Sequence, residues 1–162
     1  MTPANRVGSP LEIRLKELGL QLPAPCAPRG EYRAAVLSGP WVWVSGQGPV
    51  ENGKLIVQGR VGDTVSVAQA QHAARVTMLN VLAQAGAACG GLDRIAQCVK
   101  ATVYVSSAPG FTDQAKVADA ASSLLAQIFG ADRVPARTSV GVCGLPSDIP
   151  VMIDGVFECA TR

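Results

Sequence analysis

Residues 97–105 alternate without a break, and that alternation constrains the fold more than any other feature of the chain. Val99, Ala101, Val103 and Val105 fall on one face of a strand, with Cys98, Lys100, Thr102 and Tyr104 on the other. The flanking sequence supplies helices to cover such a strand. Upstream, a long helix running to Gly86 is predicted, with Asp63 or Thr64 as its cap and Val65, Ala68, Val76, Leu79 and Ala83 on one face. Downstream, residues 112–129 form a second amphipathic helix whose inner stripe is Ala115, Ala118, Ser122, Leu125 and Phe129.

Further strands are marked by their turns. Two apolar runs within residues 32–45 flank Ser38-Gly39-Pro40 and read as a hairpin. Asn52-Gly53 is the strongest short hairpin signal, and Leu55-Ile56-Val57 after it continues the sheet. Residues 138–143 and 151–158 close the chain as a last pair of strands in hairpin order. Ahead of all this, Ser9, Pro10 and Glu12 make a complete capping box, Leu11, Leu15 and Leu18 form a stripe, and Gly19 stops a short helix. A proline-rich extended connector follows at residues 22–28. The chain thus divides into residues 1–29, helix and connector, and residues 30–162, an α+β layer of one mixed sheet with both helices on one face.

Such a sheet leaves its second face bare. In the last strand Met152 and Val156 oppose Val151, Ile153 and Phe157, so neither face is fully polar. Charged residues make up only 16% of the chain, and its mean hydropathy is +0.25. No run reaches the about 18 apolar residues of a membrane-spanning helix. Other copies of the chain are therefore expected to cover the bare face.

Several functions are disfavoured by what the chain carries. Its net charge of +2 is spread without a Lys/Arg cluster, so no nucleic acid partner is expected. Residues 1–6 lack a signal peptide's apolar core. Five cysteines without a CxxC pair and a single histidine imply no zinc site and five free thiols in a reducing cytoplasm. His72, on the inner stripe of the long helix, reads as a core or interface residue, because no nucleophile motif accompanies it. The glycines of Ser45-Gly46-Gln47-Gly48-Pro49 precede no helix, so they mark a strand end, not a phosphate cradle.

One arginine stands apart. In Pro135-Ala136-Arg137-Thr138-Ser139-Val140-Gly141-Val142, Arg137 sits where a loop becomes a strand and offers a planar fork that matches a carboxylate two-pronged. The plainer alternative pairs it with Asp132 or Asp148 at the surface.

That block, continued through Leu145-Pro146, resembles the C-terminal signature of the Rid (YjgF-type) family. Tyr32, Ser45-Gly46-Gln47, Pro49, Gly86, residues 100–105 and Phe111 fit the same family, so the resemblance spans residues 30–158, in a branch with an extra N-terminal helix. It implies a chorismate-mutase-like fold, three subunits closing their sheets into a barrel, and clefts between subunits. It also implies cytoplasmic hydrolysis of reactive enamines and imines, of the 2-iminobutanoate and 2-iminopropanoate type, to 2-oxo acids and ammonia without metal or cofactor. Carried over by position, Arg137 would hold the substrate carboxylate and the Ser139 carbonyl the attacking water. Tyr32, Ser45 and Asp119 would line the cleft. Met152 stands where active deaminases of the family have a glutamate, and a thioether cannot activate water as a carboxylate does. Asp154 could replace that glutamate only in a rearranged cleft; otherwise it pairs with Lys100 or an arginine. The alternative is a non-catalytic trimer that binds small carboxylates. A ribonuclease is a third reading, with low charge and no His–carboxylate pair to support it.

Overall fold

The ends of the helices follow from local hydrogen bonding. In the computed structural model, which describes residues 9–160, α1 spans Pro10–Glu17. Its capping box is the predicted one: Ser9 Oγ accepts from the Glu12 amide at 3.2 Å, and Glu12 accepts from the Ser9 amide at 2.8 Å. Leu15 enters the core, and Arg14 Nε donates to the Gln127 carbonyl at 2.8 Å, which docks α1 onto the body. Residues 1–6, read above for a signal peptide, lie outside the described residues.

The long helix α2, Val67–Cys89, starts and ends later than expected. Ser66, not Asp63 or Thr64, is the cap, in a second capping box with Gln69. Thr64 Oγ1 instead accepts from the Arg60 amide in the preceding turn. Gly86 does not stop the helix. Gly90, at φ 84°, takes the left-handed cap instead. The expected Val76 and Ala83 are buried, but the buried face is wider than one stripe and also takes in Ala70, Ala73, Ala74, Met78, Val81, Leu82, Ala85 and Cys89. Ala68 and His72 are exposed, so His72 is not on the inner face. Likewise α3, Gln114–Phe129, buries Val117, Ala118, Ala121, Leu124, Leu125 and Ile128, leaving Ala115 exposed and Ser122 half-buried.

The main sheet has five strands in the order β1-β2-β7-β5-β6. These are β1 Ala35–Ser38, β2 Trp41–Gln47, β5 Ile95–Ser106, β6 Ala136–Val142 and β7 Val151–Cys159. Only β5 and β6 run parallel. Residues 138–143 and 151–158 are therefore not a hairpin. The crossover through α3 sets β6 parallel beside β5, and β7 inserts between β2 and β5. Val50–Glu51 (β3) and Lys54–Leu55 (β4) form a separate ribbon, with Asn52 and Gly53 both at positive φ as the dipeptide predicts. Ile56 and Val57 do not extend the main sheet.

Alternation in β5 holds from Ala101 onward, but a register shift between Cys98 and Lys100 inverts it upstream. Cys98 is consequently buried on the helix side, and Val99 is only half-buried. Between sheet and helices the core centres on Phe157, Met78, Leu82, Leu124, Leu125 and Ile153. The opposite sheet face carries Val36, Trp41, Trp43, Val140, Met152 and Val156; Trp43 is 55% exposed, and no helix or further strand among the described residues covers this face.

The expectation of five free thiols is overturned. Cys89 and Cys159 form a disulfide, with Cα atoms 6.0 Å apart, joining the end of α2 to the end of β7. The two are far apart in sequence, and only the fold brings them together. Cys26 and Cys143 are exposed, whereas burial pushes the Cys98 thiol up to about 12. A thiol reagent added to the native protein at pH 8 is expected to modify Cys26 and Cys143 within minutes and to reach Cys98 only after denaturation. Quantitative thiol titration with peptide mapping checks this; rapid labelling of Cys98 would contradict it.

Candidate active site

Two separate clusters hold the residues picked from the sequence. The first lies at the sheet edge. In β6, Arg137 registers with Ala101 and Ser139 with Val103, so both sit on the helix-facing side of the edge strand. Arg137 Nη1 donates to Asp119 Oδ1 at 2.8 Å and to Ser122 Oγ at 3.0 Å. Asp119 and Ser122 are neighbours on one α3 face at (i, i+3) spacing. Neither Asp132 nor Asp148 pairs with the arginine among the described residues. The guanidinium makes no other hydrogen bond among those residues, which leaves its Nε–Nη2 edge without a partner there. Arg137 is 21% exposed and Asp119 63% exposed, so the ion pair orients the fork and contributes little to stability.

The second cluster is a cleft of about 190 Å³, whose walls include Tyr32, Gly46, Gly48 and Met152. Met152 explains the glycine opposite it: a methyl group at Gly46 would come 2.5 Å from Met152 Sδ. Ser45 is not on the cleft wall; its hydroxyl donates to the Ala34 carbonyl at 3.1 Å. Asp154 lies on the Met152 side of β7 but accepts a 2.9 Å hydrogen bond from the Tyr104 hydroxyl, and Lys100 Nζ donates to Thr138 Oγ1 instead. The bond to Asp154, with desolvation and the carboxylate's charge behind it, raises the Tyr104 pKa. Asp154 is thus engaged with Tyr104, not with Lys100 or an arginine among the described residues.

A single chain does not bring the two clusters together. Met152 is on the third strand of the sheet and Arg137 on the fifth, on opposite faces, two strands apart and offset by three residues along the strand direction. Sequence reasoning missed Ser122, although its place one turn beyond Asp119 was a usable signal. It also missed the connector as a cleft wall, and the buried amides that organise that wall. Gln84 Nε2 donates to the Cys26 carbonyl at 2.6 Å, and Asn80 Nδ2 to the Val50 carbonyl at 2.8 Å. Among the described residues no three His, Cys, Asp or Glu side chains cluster to hold a metal, and no helix is long and apolar enough to cross a membrane.

A single mixed sheet layered on two long helices, with an arginine fork on its edge strand, defines the chorismate-mutase-like α+β class. Residues 12–148 match the family model described as YjgF/chorismate mutase-like, putative endoribonuclease, and the chain belongs to this YjgF (Rid) family. Protein TCP17 of Trypanosoma cruzi is 41% identical over 145 residues, covering 89% of this chain and 91% of that protein. The crystal structure of Atu1372 from Agrobacterium tumefaciens is 41% identical with a TM-score of 0.85, covering 93% of this chain and 92% of that one. More distant, at 26% identity and a TM-score of 0.61, is Escherichia coli TdcF with bound serine, covering 85% of this chain and 94% of the other.

Proposed function

We propose that the protein is a homotrimer that holds 2-imino and 2-oxo acids in clefts between copies and hydrolyses the imines. Arg137 of one copy would grip the carboxylate, and Tyr32 and Met152 of the next would line the rest of the cleft. The observation that carries this reading is the Arg137 fork, fixed through Nη1 by Asp119 and Ser122 with its other edge without a partner among the described residues, on an edge strand where a second chain has access. The uncovered apolar face supports assembly, because closing sheets against one another would bury Trp43 and Val156. A relative that holds serine, itself a small carboxylate, supports the choice of ligand.

In the reaction the enamine takes a proton on carbon and loses one from nitrogen to become the imine. Water adds its oxygen to the C=N carbon as one of its protons passes to nitrogen; the hydroxyl so formed then closes to C=O, its proton goes to nitrogen, the C–N bond breaks, and ammonia leaves the 2-oxo acid. The carboxylate clamp orients the imine, and the Ser139 carbonyl would accept a hydrogen bond from the water. With Met152 in the glutamate's place, proton removal falls to solvent, so turnover is slow relative to an enzyme with a carboxylate there. In this reading the protein works in the cytoplasm, where Cys89–Cys159 would be one of the uncommon disulfides of a reducing compartment. A nuclease has less support: charge is sparse, and His72 is exposed on α2 with no ion-pair partner among the described residues.

Generating 2-aminoacrylate in the presence of wild type and Met152→Glu tests the reaction. Wild type should accelerate ammonia release over the no-protein rate. Met152→Glu should raise the rate further, by roughly the 10²-fold or more of a positioned general base. If wild type matches the blank while Met152→Glu is active, the protein is a carboxylate binder and not a deaminase.

A further inference from the structure

We infer that the cleft around Met152 receives the side chain of the bound acid, selecting an extended apolar tail over a short or charged one, and that residues 26–29 form the wall that makes it selective. The inference rests on the proposed binding of 2-oxo and 2-imino acids and names which of them the site prefers.

Pro28, Val50, Leu55, Ile149 and Met152 line the cleft together with Tyr32 and give its wall an apolar surface. The two amides in the wall have donors already engaged. Gln47 Nε2 donates to the Ser45 carbonyl at 3.1 Å, and Asn80 Nδ2 to the Val50 and Val76 carbonyls at 2.8 and 3.0 Å. Beyond the amide oxygens of Gln47 and Asn80, the hydroxyls of Tyr32 and Ser147 and the exposed guanidinium of Arg29, most side chains of the wall are apolar, and burying a polar tail against them without partners is unfavourable. Arg29 is the only charged residue of the wall, and it is exposed. A glutamate at position 152 would give this cleft a charge; methionine gives it a flexible apolar surface.

The connector is built as a wall. Pro23, Pro25 and Pro28 stiffen it, Leu22 packs against the core, and the buried Gln84 holds its Cys26 carbonyl at 2.6 Å. The Arg29 amide donates to the Tyr32 hydroxyl at 3.4 Å, which joins the connector to the ring on the cleft wall. Gln84 is therefore a positioning residue: it touches no ligand but holds the segment that does.

Titration calorimetry on the full chain with pyruvate, 2-oxobutanoate, 2-oxopentanoate and 2-oxohexanoate should show affinity rising about fourfold per methylene. Binding of 2-oxoglutarate should be no tighter than that of 2-oxobutanoate. Gln84→Met, which removes the hydrogen bond at similar volume, should flatten the series while leaving pyruvate binding intact. Leu55→Asn, on the exposed ribbon, should do the same and serves if Gln84→Met does not fold. A flat series in wild type overturns the inference and leaves the Arg137 anion site standing. Failure of every acid to bind overturns the proposed function with it. A steep series retained in folded Gln84→Met removes the connector's role, and one retained in Leu55→Asn removes the ribbon's.

Discussion

Arg137→Ala is expected to abolish detectable binding of 2-oxo acids while the protein stays folded. Losing one partner of a desolvated, hydrogen-bonded charge pair costs about 2–5 kcal/mol, or roughly 30-fold to several thousand-fold in affinity. Stability should move far less. The arginine's protein partner is a carboxylate that is 63% exposed, and such surface pairs contribute about 0–1 kcal/mol. Arg137→Lys should recover little, because an ammonium cannot present two parallel donors. Calorimetric titration with pyruvate, beside thermal melts without ligand, separates the two effects. Pyruvate affinity unchanged in Arg137→Ala would remove the arginine from the site altogether.

Loss of the Cys89–Cys159 bridge is expected to have the largest effect on stability. The bridge closes a loop of 70 residues in the sequence, and cross-linking a loop of that size stabilises by about 4 kcal/mol in the chain-entropy description. For a chain of this length that is a fall in Tm of roughly 8–16 °C. A Cys89→Ala/Cys159→Ala double variant and wild type reduced under denaturing conditions should melt together, both below oxidised wild type. Equal melting of all three would mean that the bridge contributes nothing. A cytoplasmic protein would meet this choice in the cell, so thiol labelling of rapidly quenched lysate reads the state of the bridge directly.

Much of the architecture was legible because it is written in short-range signals. The capping box at Ser9 and the Asn52-Gly53 turn were each complete within four residues, and each formed as read. The full width of the buried face of α2 was not legible, because small residues all round an alanine-rich helix can be buried, and the packing of α2 against α3, β2 and β7 together decides which are. The last two strands misled for a different reason. Adjacent strands with a short connection suggest a hairpin, but β6 was already committed to lie parallel beside β5 through the α3 crossover. Val99 misled because a bulge inverts the alternation, and a bulge has no signature in the residues themselves.

The candidate site divides along the same line. Arg137 could be chosen from its own chemistry, a fixed fork of donors at the mouth of a strand, whereas Tyr32 and Met152 were marked only by the family resemblance. What they face depends on distances between residues remote in sequence. Only the tertiary structure put Asp119 and Ser122 on one edge of the arginine, tied Asp154 to Tyr104, and laid the proline connector along the Met152 cleft. It alone separated Arg137 from Met152 across two strands and two faces of the sheet, and it alone paired Cys89 with Cys159. Side-chain chemistry is a property of the residue and can be read in one dimension. Partnership is a property of packing, and is decided when the sheet closes on its helices.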